Sequence, residues 1–338
     1  MHKLVKRVAG RKKPQPLPAV AMQDGSLAKS PEEAAERWRQ FSQELHCGKP
    51  VSFEELIAKA DSTQAAYQHV PRSIAAVPTK AELGRVFAAL PPCRAHGSDG
   101  ISPAIVKKFG NVFLDLFHPV VVKSSLRINE PIQWRGGVLA HFPKPKGKTT
   151  QCSDNREIVL ADVTAKAFHK CRRQRLKATL ESAARETQMG GISKRSTDFG
   201  SHYMRTALDY TRSKGITTST IFVDVVAAFY NVKRSHILPV PSGKPGTDIM
   251  TEQGVDPHLA ASAAAASTAT WFAIQASPTL TEYEKGVLPG DPEADLNFTV
   301  LATKVLDEIH DEFRKAGLLP QFPQQSRRPP LVPWMQGH

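Results

Sequence analysis

The chain has 338 residues, which is enough for one large domain or two smaller ones with a real core. Lys and Arg outnumber Asp and Glu by 45 to 32, and the formal net charge of +13 indicates polyanionic partners, with nucleic acid ahead of an anionic membrane. No stretch approaches the roughly 18 apolar residues that a membrane span needs, so we expect no membrane partner.

The four cysteines show neither C-x-x-C spacing nor neighbouring histidines at zinc-ligand intervals, so they predict no zinc site. Free thiols in a reducing compartment are the simplest account of them. Residues 1–13 carry six basic residues without an apolar stretch, which excludes a signal peptide there. We expect an intracellular protein, located in the nucleus or the cytoplasm.

The N-terminal part begins with a basic, then Pro-rich stretch over residues 1–30 that predicts a disordered tail. Ser30-Pro31-Glu32-Glu33 combines a cap residue, a proline at the first helical position and two acids, which predicts a helix that runs through Leu45. Thr79 opens a second predicted helix, and its apolar residues fall on one face.

The rest of the chain mixes helices with scattered short strands, without a regular βαβ alternation, and this favours an α+β fold. The predicted elements are a helix from Pro103, a helix over 112–128, a strand over 134–142, a strand at 158–160, a helix over about 162–185, a helix over 198–213, a strand that leads to Asp224, a helix over 259–269, a strand over 271–276 and a helix over 298–313.

Asp224 lies in an otherwise apolar and largely β-branched run, which predicts a strand before the carboxylate and a turn into helix after it. An ionised Asp in such a setting is costly unless a cation or a donor compensates it. A carboxylate at the end of a buried strand could hold a hard divalent ion, and it could equally cap the following helix. The run alone leaves these two interpretations evenly balanced.

Positive charge is concentrated in residues 141–177, where ten Lys and Arg face three acids. Such a segment can bind a triphosphate or a nucleic-acid backbone, because Arg gives bidentate contacts to phosphate. For the loop Lys144–Lys148 we favour phosphate contact, since its prolines fix how the side chains are presented. For Arg172 to Lys177 a solvated helix face is an equally good interpretation.

Six short segments share their order with the motifs of one polymerase family, and the chain resembles the reverse transcriptases of non-LTR retrotransposons over roughly residues 90–310. The segments are Gly97-Ser98-Asp99-Gly100-Ile101, Pro143-Lys144, Arg156-Glu157-Ile158 with Lys166 and Arg175, Gly190 with Arg195-Ser196-Thr197, Phe222 to Phe229, and Gly286 to Pro292. Each segment alone is weak, and the last by itself reads as an ordinary turn. The shared order makes a chance match improbable.

The resemblance implies a right-hand polymerase fold with fingers and an incomplete palm, without a thumb. It implies that Asp224 binds the catalytic Mg²⁺ and that Val225 adds a backbone carbonyl. Phe229 would lie under the incoming sugar and exclude a 2′-hydroxyl.

The nucleotide contacts implied by the resemblance come from two other segments. Lys144 and Arg156 would hold the triphosphate of a dNTP from the fingers side. Gly290 and Asp291 would lie beside the nucleotide and the RNA or DNA template-primer. Pro289 and Glu293 depart from the residues usual in the family around this turn, which weakens that assignment.

A more serious departure concerns the metal site, since two-metal phosphoryl transfer needs further carboxylates that face the first. The family supplies them as an aromatic-x-Asp-Asp hairpin, and no Asp-Asp pair occurs in this sequence. Trp334-Met335-Gln336-Gly337 stands at about the expected place, and Gln cannot replace an anionic ligand of a hard cation. We expect that the sequence breaks off or shifts frame inside this hairpin, and that the chain lacks polymerase activity.

The resulting hypothesis is a domain whose ancestral function is RNA-directed DNA synthesis, by nucleotidyl transfer from a dNTP to a primer 3′-hydroxyl. A non-catalytic nucleic-acid-binding protein and a degenerate, poorly folding retroelement relic are the alternatives. The predicted organisation is a disordered tail over 1–30, a helical extension over 31–90, a fingers-like region over 91–220, a partial palm over 221–315 and an unstructured end over 316–338.

Overall fold

The computed structural model describes residues 19–145, 150–225, 227–240, 248–275, 277–287 and 290–319. Within these residues the protein is a mixed α/β structure with one five-stranded sheet and eleven α-helices. No helix in this part of the chain is long and apolar enough to cross a membrane.

The sheet has the strand order β1-β5-β4-β2-β3, so strands that are distant in sequence lie side by side. Its strands are β1 (Lys49–Val51), β2 (Gly136–Pro143), β3 (Asn155–Leu160), β4 (Trp271–Ile274) and β5 (Leu280–Glu282). β2 and β4 are parallel, and the other neighbouring pairs are antiparallel. β2 and β3 form a hairpin in which Leu139 lies opposite Val159.

The helices account for about half of the described residues. They are α1 (Pro31–Leu45), α2 (Phe53–Ala66), α3 (Lys80–Ala88), α4 (Pro103–Lys108), α5 (Gly110–Arg127), α6 (Val163–Ser182), α7 (Thr197–Ser213), α8 (Arg234–Ile237), α9 (Ile249–Glu252), α10 (Pro257–Ala266) and α11 (Ala294–Lys315). The predicted helices are confirmed, with bounds that differ from the predicted ones by a few residues.

Capping residues explain where the first helices begin. The Ser30 hydroxyl accepts a hydrogen bond from the Glu33 amide at the start of α1. Thr79 and Glu82 form a reciprocal capping box at the start of α3, which satisfies two amides that would otherwise lack partners. The helix starts that the sequence predicts at Ser30 and Thr79 are therefore confirmed.

The two faces of the sheet pack against different helices. Trp38 of α1 is fully buried in a cluster with Val159, Phe272 and other residues of one face. Leu56 of α2 packs with Trp271 on the opposite face of β4. This alternation along β4 is what the period-2 geometry of a strand requires.

The long basic helix α6 joins two further apolar clusters. Its Phe168 and Cys171 pack with residues of α3 and α5, while Leu176 and Leu180 pack with α10 and α11. Because α6 contributes to both clusters, it is the central helix of the helical layer and carries basic side chains into the interior.

Two sequence predictions are wrong. Residues 217–225 form no strand, and Ile221, Phe222 and Val223 are 75 to 90% exposed. A strand needs a partner for its backbone, and within the described residues none pairs with this segment. Residues 19–30 are not a disordered tail, because Val20 is fully buried and Ala21 bridges to Leu27.

The predicted domain boundaries stay predictions. Residues 1–18 and 320–338, which hold most of the two predicted unstructured ends, lie outside the described residues.

Candidate phosphate and nucleotide site

The β2–β3 hairpin carries the two residues predicted to hold a triphosphate. The Lys144 amide donates to the carbonyl of Asp154 at 2.8 Å, and the Lys144 ammonium donates to the carbonyl of Ser153 at 2.6 Å. Arg156 lies two residues farther along the hairpin, opposite Phe142, and is exposed. The hairpin therefore brings Lys144 and Arg156 together, and among the described residues the Arg156 guanidinium has no hydrogen-bond or ion-pair partner.

Gly290 and Asp291 lie directly against β3. Gly290 has φ +105°, and a Cβ there would be 2.7 Å from the carbonyl oxygen of Val159. Only glycine fits this close approach at such a backbone angle. The Asp291 carboxylate accepts a hydrogen bond from the Glu293 amide at 2.9 Å, so it stabilises its own turn.

Phe229 lies beside the start of the same turn. Its carbonyl accepts a hydrogen bond from the Val287 amide at 2.9 Å, and its ring is 5.2 Å from that of Phe298. The segments that contain Phe229, Gly290 and Arg156 are therefore neighbours in the fold, and the roles that the resemblance implies for these residues stay predictions.

Asp224 and Val225 do not join this site. Both are exposed in an irregular segment, and the Asp224 carboxylate forms no ion pair or hydrogen bond with another described residue. Throughout the part of the chain that the structure describes, no three His, Cys, Asp or Glu residues come together as a set of metal ligands. The residues present thus do not fit a Mg²⁺ site at Asp224, and the prediction of a buried strand that presents its carboxylate is wrong.

The first turn of the motif series lies on the N-terminus of α6. The Asp162 carboxylate accepts hydrogen bonds from the Ser98 hydroxyl and the Asp99 amide, each at 3.2 Å. A Cβ at Gly97 would lie 2.5 Å from the Asp162 Cα, so the turn and the helix start are in close contact.

Lys166 and Lys170 follow one turn apart on α6, and Arg94 lies near them. Partial burial lowers the pKa of the Lys166 ammonium, and the charge of Lys170 lowers it further, against the opposing effect of Asp162 and Asp291. The Lys166 ammonium forms no hydrogen bond or ion pair with any residue that the structure describes. A half-buried ammonium among like charges favours the binding of an anion. We call Arg94, Lys166 and Lys170 the α6 cation cluster.

Sequence reasoning missed a buried charge network behind this cluster. The Arg172 guanidinium donates to both carboxylate oxygens of Glu293, at 2.7 and 3.0 Å, and to Glu130 at 3.2 Å. The His169 ring lies 3.0 Å from the Glu130 carboxylate. Burial by itself would raise the pKa of Glu130, but the charges of His169 and Arg172 outweigh it and hold the pKa at about 2.

This network joins Glu130 and α6 to Glu293, the residue that follows the Gly290-Asp291-Pro292 turn. Its buried ion pairs therefore hold the turn in position. A partly open cavity of about 40 Å³ adjoins it, which has room for a few water molecules. The sequence shows that Glu293 is unusual for the family and that Arg172 is basic. Only the fold shows that their side chains form an ion pair.

Other basic residues of α6 also form ion pairs or hydrogen bonds within the chain. Arg173 pairs with Asp295 at 2.9 Å, and Arg175 binds Glu82 and the carbonyl of Val77. The basic segment 141–177 is therefore neither one solvated face nor one phosphate-binding surface. Among its described residues the charges divide into ion pairs within the chain and a set without such partners, while Lys146 and Lys148 of the predicted phosphate-contact loop lie outside the described residues.

Comparison with known proteins gives one informative similarity. No family model matches the chain. A protein of Xenopus laevis described as the transposon TX1 uncharacterized 149 kDa protein is 23% identical to it over 216 residues. These residues are 64% of this chain and 16% of that protein, so the chain spans a small part of the relative that it matches. The similarity points to an origin in a transposon.

Proposed function

We propose that the chain is a reverse-transcriptase-like domain of a non-LTR retroelement, with fingers and an incomplete palm. The observation that carries this proposal is spatial. The Gly97–Gly100 turn packs on the N-terminus of α6, and the Gly290–Asp291 turn packs on β3, which directly precedes α6, so two turns that are far apart in sequence meet the same β3–α6 unit. The similarity to a transposon protein supports the same origin.

The function that we propose for the present chain is binding of an RNA or DNA template-primer through its phosphates. The α6 cation cluster and Arg156 supply unpaired positive charge next to the two glycine turns. Nucleic-acid phosphates would compensate the half-buried Lys166 charge, and Arg156 could make bidentate contacts. The dNTP of the ancestral reaction would have occupied the same neighbourhood.

In the ancestral enzyme, Asp224 and Val225 would have held Mg²⁺, and that ion would stabilise the charge of the transferring phosphoryl group. We propose that the present chain binds nucleic acid without extending a primer. Asp224 is exposed, no second carboxylate joins it among the residues that the structure describes, and the Lys144 ammonium donates to a backbone carbonyl.

A primer-extension assay tests this proposal. The purified 338-residue chain is incubated with an RNA template, a labelled DNA primer, all four dNTPs and Mg²⁺, beside an active reverse transcriptase as the positive control. We expect binding of the template-primer in a gel-shift assay and no extended product. Extension that is lost in Asp224→Asn would show that a functional metal site forms, and would contradict the proposal.

A further inference from the structure

A surface groove of about 470 Å³ lies between α3 and the α4–α5 corner. Gly84 allows the two helices to approach closely, because a Cβ there would lie 3.2 Å from Leu114. Phe109 and Val112 line the groove, and Leu116 continues their apolar surface along α5; all three are exposed. Such an apolar surface on a helical corner is typical of a site that receives an amphipathic helix.

The rim of the groove is positively charged. Lys107 and Lys108 are exposed and form no ion pair with the described residues, and the Lys108 ammonium lies 5.8 Å from the Phe109 ring centroid. The acids closest to them on α3 and α5 are already used, since Glu82 binds Arg175 and Asp115 binds Lys80. The groove therefore fits an apolar segment with acidic residues along one edge.

The ends of the chain outside the described residues do not have this character. Residues 1–18 and 320–338 contain no Asp or Glu, and both include basic residues. Lys107 and Lys108 would repel these segments, so charge complementarity excludes them as occupants.

The C-terminal half of α11 has the required character. Val305, Leu306, Ile309 and Phe313 form an exposed apolar stripe along it, with exposures of 41 to 46%. Glu308 and Glu312 follow one edge of the stripe at helical spacing. Glu308 has no ion-pair partner among the described residues, and Glu312 has only the exposed Lys315 of the next turn.

The α11 stripe cannot reach the groove of its own chain. The first half of α11 is held in the core by Leu296 and Val300, and the Thr303 hydroxyl donates to the Gln188 side chain at 2.7 Å. The α11 stripe can therefore occupy this groove only from a second copy.

We propose that the α11 stripe of one copy lies in the α3–α5 groove of a second copy, with Glu308 and Glu312 against Lys107 and Lys108. The two surfaces are different, so the contact is heterologous, and each copy keeps one free groove and one free stripe. The association thus continues beyond a dimer unless a ring closes. It is independent of the proposed nucleic-acid binding.

Charge-swap variants test this contact by sedimentation equilibrium of the full chain. We expect the wild-type chain to show a concentration-dependent mass above that of the monomer, at concentrations up to about 100 μM and less at high salt. Lys107→Glu/Lys108→Glu and Glu308→Lys/Glu312→Lys should each weaken association by about tenfold or more. Lys214→Glu/Lys233→Glu changes the charge equally outside both surfaces and should leave the mass distribution unchanged.

Mixing the two swap variants in equal amounts is the decisive step. In the mixture an acidic stripe meets a basic groove, and a basic stripe meets an acidic groove, so association should return. A variant that loses its far-ultraviolet circular dichroism is replaced by the corresponding Lys→Gln or Glu→Gln pair. A monomeric wild type, a mixture that stays monomeric, or groove variants that lose only RNA binding would each overturn the proposal.

Discussion

Arg172 lies in the middle of a basic helix, yet its guanidinium is buried between two carboxylates, Glu130 and Glu293. Two buried carboxylates left without this cation would be strongly unfavourable, because desolvation of an unpaired charge costs several kcal/mol. Its neighbour Arg173 pairs with Asp295 at the surface, where ion pairs contribute little.

We therefore predict that Arg172→Leu destabilises the protein by about 3 to 5 kcal/mol, whereas Arg173→Leu changes the free energy of unfolding by less than about 1 kcal/mol. Urea denaturation of both variants, followed by tryptophan fluorescence, measures this difference. Equal effects of the two substitutions would mean that the Arg172 network does not stabilise the fold.

Arg172 and Arg173 illustrate how far the environment of a single residue can be predicted from the sequence. The sequence shows that residues 141–177 are basic. It does not show which of their cations form buried ion pairs, because this depends on Glu82, Glu130 and Glu293 from other parts of the chain. Asp224 shows the opposite error. Its apolar neighbours suggested burial, and the fold leaves them exposed.

Among the elements, β3 is joined to α1 by a buried polar cluster. The Glu157 carboxylate accepts a hydrogen bond from the Ser42 hydroxyl and lies 2.9 Å from the His46 ring nitrogen. Burial would raise the pKa of Glu157, but hydrogen bonds from His141 and His46 outweigh it and hold the pKa at about 2.

The sign of the pH dependence follows from this lowered pKa. The ordinary value is 4.5, so the Glu157 carboxylate stabilises the fold above about pH 4.5, and that contribution is lost as the pH falls toward 2. We predict that Glu157→Gln costs about 2 kcal/mol at pH 7 and progressively less toward pH 3. Denaturant unfolding across this range measures it, with Glu54→Gln on the exposed side of α2 as the control. A cost that does not shrink with acid would contradict this account.

Helices were predicted more accurately than the sheet because their signals are local. The caps at Ser30 and Thr79 lie within one turn of the helices that they start. A strand is stabilised by partners elsewhere in the chain, so β-branched composition alone is a weak guide. β4 was predicted correctly and lies between two partners, whereas the similar run before Asp224 has none within the described residues.

At the scale of the whole molecule, the segments that resemble reverse-transcriptase motifs meet around β3 and α6, and the described residues complete no set of metal ligands. The order of the motifs could be read from the sequence, and their convergence around β3 and α6 required the fold. Among the described residues of the basic segment 141–177, Arg156, Lys166 and Lys170 have no ion-pair partner, and Arg94 lies beside the two lysines. This surface, and not the whole basic segment, is predicted to carry nucleic-acid binding.

The most direct test is the salt dependence of binding to a labelled RNA–DNA template-primer, measured by fluorescence anisotropy. The logarithm of affinity should fall linearly with the logarithm of salt concentration, and Lys166→Glu/Lys170→Glu should reduce that slope by about 2, at about 0.9 for each lost phosphate contact. Asp224→Asn and Lys214→Glu/Lys233→Glu should leave the slope close to that of the wild type. An unchanged slope and affinity in the Lys166→Glu/Lys170→Glu protein would contradict the account.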